Sequence, residues 1–145
     1  MIRIYPATYA NDSTLAAVNS LLPQLSSSAP ALDHEGLQRI LESDALTLFL
    51  AEVEGRVVGM LTLVVAPIPT GVRALIEDVV TDESARGQGV GGELVTTALD
   101  HARRLGATTV DLTSRPAREA ANRLYVRLGF VQRETNVYRL ILKTD

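Results

Sequence analysis

Apolar and polar residues alternate in Ile2-Arg3-Ile4-Tyr5, which predicts a short first strand. Apolar positions then recur at helical spacing. Helices are expected over Asp12–Leu25 and Asp33–Ser43, divided by the loop Ser26-Ser27-Ser28-Ala29-Pro30. Leu46–Val53 and Val57–Val65 are β-rich runs, and Glu54-Gly55-Arg56 between them reads as a hairpin turn. Pro67-Ile68-Pro69-Thr70-Gly71 is a turn cluster, and Ala74–Val80 is the next strand. From Gly89 the period becomes helical again. Val90, Leu94, Val95, Ala98, Leu99, Ala102 and Leu105 fall on one stripe, Arg103 and Arg104 sit in the last turn, and Gly106 occupies the position of a terminating glycine. Thr108–Leu112 reads as a strand. Pro116 falls in the first turn of a further helix that Gly129 ends, with Ala117, Ala121, Leu124 and Leu128 on its buried side. Val131–Arg133 and Val137–Leu142 are two final strands. The order β-αα-βββ-α-β-α-ββ predicts an α/β (α+β) fold with a mixed sheet, and no repeat or interior linker divides residues 1–145, which are expected to form a single domain.

Composition narrows the function classes. The longest apolar run, Val57 to Ile68, is interrupted by Gly59, Thr62 and Pro67, so no membrane span is expected. Met1-Ile2-Arg3-Ile4-Tyr5-Pro6 lacks the apolar stretch of a secretory signal. Cysteine is absent, which removes disulfides, thiolate metal sites and a cysteine nucleophile and fits a cytoplasmic location. A net charge of −3 argues against nucleic acid as a partner, because phosphate affinity rests on clustered basic residues. The charge is uneven: residues 1–85 carry a net −7 and residues 86–145 a net +4. Either the second part holds an anionic ligand and the first attracts a cationic one, or ordinary solvated helix faces differ.

Gly87, Gly89, Gly91 and Gly92 crowd the junction between a strand and a helix. Such a junction aims unpaired backbone N–H groups and the positive end of the helix dipole at one spot, and absent side chains let a phosphate approach closely. This predicts an anionic, pyrophosphate-bearing ligand, against the alternative of a merely flexible loop. Gly87-x-Gly89-x-x-Gly92 formally matches the dinucleotide fingerprint, with Asp111 as the ribose-binding acid. Two features count against a nicotinamide enzyme. Thr81-Asp82-Glu83-Ser84-Ala85-Arg86 separate the strand from the first glycine, and too little chain remains for further βαβ units. The nucleotide-binding pattern ending in Gly-Lys-Ser/Thr is also absent.

Arg86-x-x-Gly89-x-Gly91, preceded by Ile76-Glu77-Asp78-Val79-Val80, resembles the acetyl-coenzyme A signature of the GNAT N-acetyltransferases. Ala120-Ala121-Asn122-Arg123-Leu124-Tyr125-Val126-Arg127-Leu128-Gly129-Phe130 resembles the helix-to-strand signature of the same superfamily. The resemblance covers nearly the whole chain and implies a mostly antiparallel central sheet flanked by about four helices. It implies that the strand backbone at Val79, Val80 and Thr81 holds the pantetheine arm and polarises the thioester carbonyl. The amides of Gly87, Gln88, Gly89, Val90, Gly91 and Gly92 would then grip the pyrophosphate, and Arg86 would be a structural or phosphate-pairing residue, with a simply solvated arginine as the alternative. Tyr125 would be the general acid that protonates the leaving thiolate; its alternative is a core tyrosine. Many members carry an asparagine seven residues before this tyrosine, where this chain has Arg118. Asn122 could take over that contact, and Arg118 could pair with a phosphate, unless both are simply exposed.

An alkylammonium with a pKa of about 10 needs a base before it can attack. Glu77 and Asp78 are the candidates, since two carboxylates in an otherwise apolar strand are costly unless satisfied. In a regular strand only one of them faces the amine. The Ile-Glu-Asp-Val-Val run resembles the corresponding strand of glucosamine-phosphate acetyltransferases, where the acidic pair lies at the active site. Glu77 is favoured as a base acting through water, and Asp78 as a substrate or structural contact; both have structural hydrogen bonding as the alternative. His101 is expected to be solvated and His34 to cap or lie at the surface, with contact to substrate as its alternative. No metal-ligand spacing occurs, so no metal is expected. The expected activity is direct transfer of an acetyl group from acetyl-CoA to a primary amine, on a small molecule or peptide. The rival reading is a coenzyme A sensor or interaction module without turnover. Because family members are often dimers, a homodimer is a further expectation.

Overall fold

The structure is a computed structural model and describes residues 1–143. The chain forms two compact units, Met1–Thr113 and Ser114–Asp145.

The first unit is built on a five-stranded sheet of order β1-β2-β3-β4-β5: β1 Ile2–Pro6, β2 Leu46–Val53, β3 Arg56–Ile68, β4 Gly71–Thr81 and β5 Thr109–Asp111. β1 to β4 pair antiparallel, and β5 lies parallel to β4. Three helices belong to this unit, α1 Asp12–Leu25, α2 His34–Glu42 and α3 Val90–Arg104. Val18, Leu21 and Leu37 of α1 and α2 pack on Leu48, Leu50, Met60 and Val80 of the sheet. The opposite face receives α3, which buries Val90, Leu94, Val95, Ala98 and Ala102. Helices on both faces explain why β2 and β3 read as continuous apolar runs rather than alternating ones.

Local chemistry sets the ends of these elements. Asn11 caps α1 by accepting from the Thr14 amide at 2.9 Å, and Asp33 caps α2 by accepting from Gly36 at 2.7 Å. Asn19 both donates to the Leu32 carbonyl and accepts from its amide, each at 2.9 Å, which pins the connection between the two helices. At the end of α3 the amides of Gly106 and Ala107 bond the carbonyls of Arg103 and Ala102, with Gly106 at φ 87°, as expected of a terminating glycine.

The second unit contains α4, Glu119–Arg127. It starts later than expected. Pro116 lies in a turn, closed by the Arg118 amide on the Arg115 carbonyl at 3.0 Å, and Ala117 is exposed rather than buried. Proline suits the second position of such a turn as well as a helix start, and the turn prevails. Within this unit the expected strands at Val131–Arg133 and Val137–Leu142 find no paired neighbour: residues 130–143 carry no regular structure, and Val137, Tyr138 and Leu140 are exposed. β-rich composition makes a strand only where a neighbouring strand completes its hydrogen bonds. The order β-αα-βββ-α-β-α agrees with expectation up to that point. β3 also runs on through Pro67 to Ile68, which confines the turn before β4 to Pro69-Thr70. No helix among the described residues is long and apolar enough to cross a membrane.

Candidate active site

Three features of the first unit converge on β4 and the loop after it. β4 has β5 as a neighbour only from Arg73 to Leu75, because β5 stops at Asp111. Among the described residues of this unit, no strand pairs with that edge of β4 beyond Leu75, and the backbone of residues 76–81 has only β3 as a neighbour. An unpaired strand edge offers N–H and C=O groups to an extended, amide-bearing ligand.

The second feature is a bulge. Met60 pairs with Val80 but Thr62 pairs with Glu77, so Leu61 alone stands against Asp78 and Val79. Asp78 has φ 51°, a left-handed conformation that aspartate tolerates better than most side chains and that costs about 1 kcal/mol. The extra residue reverses the alternation. Ile76 pairs with Leu63 and Val80 with Met60, so the two lie on opposite faces although they are four positions apart in sequence. Glu77 and Val80 consequently share the face toward α1 and α2.

The two carboxylates differ from the sequence expectation in one respect. Glu77 and Asp78 are both exposed, so neither suffers the burial cost that suggested a role, and the bulge removes the argument that only one of them could be presented. No ion pair among the described residues engages either.

The third feature is the loop. After β4 the chain makes a 3₁₀ turn, Glu83–Ala85, and then runs exposed from Arg86 to Gly89. Gly87 and Gly89 have φ 81° and 86°, and a Cβ at either would meet nothing within 4 Å. These glycines therefore serve backbone conformation and leave open space in front of it. The first intrahelical bond of α3 joins the Glu93 amide to the Gly89 carbonyl at 3.1 Å, so the amides of Val90, Gly91 and Gly92 precede it and have no partner in the helix. With the helix dipole behind them, they suit a diphosphate. Val90 differs from its neighbours: it is buried, and a Cβ on Gly59 would lie 3.0 Å from its Cγ1. Its side chain anchors the loop in the core. Arg86 and Gln88 are exposed.

In the second unit, α4 ends at Arg127 with Leu128 as its C-cap and Gly129 at φ 101°. The Gly129 amide bonds the Val126 carbonyl and the Phe130 amide bonds the Tyr125 carbonyl, both at 3.0 Å. This arrangement brings the residue after the glycine back onto the third residue from the helix end. The Phe130 ring accordingly meets Tyr125 edge-on, with centroids 5.8 Å apart. Tyr125 is buried, and burial pushes its phenol above the ordinary value against a weaker opposite pull from Arg118. Asn122 donates its side-chain amide to the Arg115 carbonyl at 3.0 Å, which supports the turn before α4. Arg118 is exposed and occupies the N-cap of that helix without a side-chain cap bond.

The histidines lie elsewhere. His34 pairs with Asp12 at 2.7 Å across the starts of α2 and α1. His101 is half-buried rather than solvated, stacked edge-on against Phe49 at 5.4 Å. No cluster of three or more potential metal-ligating side chains occurs among the described residues. One surface hollow of about 450 Å³ borders Tyr5, Glu52 and Arg56, and another of about 490 Å³ borders Asn122 and Val126. Sequence reasoning missed Asp78's conformation, the Gly59 notch and Asp82, whose carboxylate organises the turn before the loop.

Comparison with known proteins bears on the whole arrangement. A family model described as the acetyltransferase (GNAT) family matches residues 15–130. A mycothiol acetyltransferase of Thermomonospora curvata is 37% identical over 94 residues, which are 65% of this chain and 31% of that protein. The chain spans less than half the length of the curated relatives it matches. Among solved structures, an acetyltransferase of Trypanosoma brucei superposes with a TM-score of 0.80 at 28% identity, covering 98% of this chain and all of that one. An aminoglycoside acetyltransferase from an uncultured soil metagenomic sample, in complex with sisomicin, gives 0.85 at 21% identity over 98% and 97% of the two chains, a likeness of fold.

Proposed function

The chain belongs to the GNAT acetyltransferase family, and we propose that residues 1–145 act as one N-acetyltransferase domain that moves an acetyl group from acetyl-CoA to a primary amine. The observation that carries this reading is the continuity of β4 within one unit: an edge left open past Leu75, a bulge at Asp78, and a glycine loop that ends on unpaired helix amides. An extended amide-bearing arm continued by a diphosphate fits that sequence of features.

Bound acetyl-CoA supplies the thioester whose acyl group is transferred. The backbone of Val79, Val80 and Thr81 holds its arm and offers N–H groups toward the acyl oxygen, where the bulge interrupts the ladder. The amides from Gly87 to Gly92 hold the pyrophosphate, with Arg86 beside them. Arg118 and Asn122 are further coenzyme contacts; the Asn122 side chain keeps its oxygen and one N–H for this, since the bond to Arg115 uses a single N–H.

Direct attack by the amine in a ternary complex suits a chain with no cysteine to carry the acyl group. Glu77 removes the ammonium proton through water. Its exposure gives water access, and its place on the face toward α1 and α2 sets it apart from Val79. Asp78 contacts the acceptor. Tyr125 delivers a proton from its phenol to the departing thiolate; its raised pKa keeps the donor protonated through neutral pH.

The net −7 over residues 1–85 favours a cationic acceptor, a small polyamine or a lysine-bearing peptide. The test is a panel of cationic, neutral and anionic amines at saturating acetyl-CoA, with thiol release as the readout. Turnover should concentrate in the cationic amines. Preference for anionic acceptors would refute the acceptor assignment, and coenzyme binding without turnover on any amine would refute catalysis.

A further inference from the structure

Asp82 is the most heavily bonded carboxylate of the described chain. It comes directly after β4, and its backbone amide donates to the Val58 carbonyl at 2.6 Å. Its Oδ1 accepts from Gln24 Nε2 of α1 at 2.7 Å. Its Oδ2 accepts from Arg56 Nη2 at 2.9 Å, from the Ser84 amide at 3.0 Å and from the Ser84 hydroxyl. Gln24 and Arg56 each make a second bond to the same turn. Gln24 Oε1 accepts from the Glu83 amide at 2.9 Å, and Arg56 Nη2 donates to Ser84 Oγ at 3.0 Å. One carboxylate thus ties the last turn of α1, the start of β3 and the 3₁₀ turn Glu83–Ala85 into a single knot.

The knot sits immediately ahead of the glycine loop. Ala85 is buried at its end, Val90 is buried in the Gly59 notch, and the four residues between them are exposed. The loop is therefore a short bridge between two fixed points, and its glycines add no side-chain contacts of their own. Where the loop amides point depends on how firmly both ends are held. Besides the burial of Ala85, the upstream backbone bonds are local, from the Ala85 amide to the Asp82 carbonyl at 2.9 Å and from the Arg86 amide to the Glu83 carbonyl at 3.4 Å.

We propose that Asp82, with Gln24 and Arg56, is a positioning residue that fixes the direction of the loop amides and so sets affinity for the diphosphate part of the donor. The inference rests on the reading that residues 87–92 hold that diphosphate. It also ties α1, on the face that Glu77 shares, to the donor loop through Gln24.

Titration calorimetry with coenzyme A and with pantetheine, which lacks the diphosphate and nucleotide, separates the possibilities without an acceptor. Wild type should bind coenzyme A more tightly than pantetheine. Asp82→Asn should weaken coenzyme A about tenfold while leaving pantetheine unchanged, because the β4 edge is untouched. Gln24→Ala should repeat the pattern more weakly, and it serves if Asp82→Asn does not fold. Equal weakening of both ligands, or no weakening of either, overturns the positioning role. If wild type itself binds the two ligands equally, the diphosphate reading of the loop fails and the inference falls with it.

Discussion

Gly59 lies on β3 where the first turn of α3 comes closest to the sheet. A methyl group added there would stand 3.0 Å from Val90 Cγ1, 3.1 Å from Leu94 Cδ1 and 3.2 Å from the Val80 carbonyl oxygen. None of these atoms yields easily. Val90 is β-branched with a stiff χ1, Leu94 is fully buried, and the Val80 oxygen belongs to the backbone of the candidate site. Overpacking of this kind costs about 1–3 kcal/mol. Alanine recovers about 0.5–1 kcal/mol of it, since glycine in a strand interior is entropically unfavourable. Gly59→Ala should therefore lose about 1 kcal/mol, and Gly59→Val clearly more. Urea unfolding at fixed pH measures both, with an unchanged m-value as the sign that the unfolded state is not altered. The strain should also push Val90 and the start of α3 outward, so the alanine variant should bind coenzyme A more weakly while still folded. An alanine variant as stable as wild type, together with a valine variant no worse, would refute the close approach and the anchoring role given to Val90.

Two further outcomes concern titrating groups. The Ser84 hydroxyl first, then Gln24, the Ser84 amide and Arg56, hold Asp82 down at about 2, below its ordinary 3.8. A depressed carboxylate stabilises the fold above its unfolded pKa, and that contribution is lost as pH falls from about 4 to about 2. The shift caps the effect at about 2 kcal/mol, and solvent screening brings it to roughly 1 kcal/mol. The stability gap between wild type and Asp82→Asn, measured by urea unfolding from about pH 5 downward, should close across that window; a constant gap would count against the bonding described. Tyr125→Phe should keep the fold and the Phe130 contact but lower turnover by about a hundredfold, the scale of general acid catalysis. Wild-type turnover at all pH values in that variant would remove the proton-donor role.

Much of the first unit is legible in the sequence because its signals are local. Helix α1 falls on the expected Asp12–Leu25, and α2 differs only in that Asp33 and Ser43 prove to be its caps. The terminating glycines at 106 and 129 are readable from position alone, since only a left-handed residue closes those ends. The glycine loop is readable for the same reason. Features that escape such reading depend on pairing between distant segments. The bulge at Asp78 exists only in the register of β4 against β3, and Gly59 matters only because Val90 and Leu94 are packed over it. Asp82 is an ordinary loop residue until Gln24 and Arg56, far away in sequence, are brought to it. The last two expected strands have no partner within the second unit for the converse reason: composition favours them, but a strand needs a neighbour that composition does not specify.

The doubled residues at Asp78 and Val79 also constrain how such a chain can change length. A bulge is a one-residue insertion already absorbed into the sheet. Deleting either residue would restore regular pairing, yet it would turn every side chain from Val80 onward to the other face, taking Val80 out of the core beneath α1 and moving Thr81 and the loop with it. Chain length should therefore be far less tolerant of change inside β4 than in the two-residue turn at Pro69-Thr70, where an added residue meets only solvent. The site's geometry is written as a count of residues as much as a choice of them.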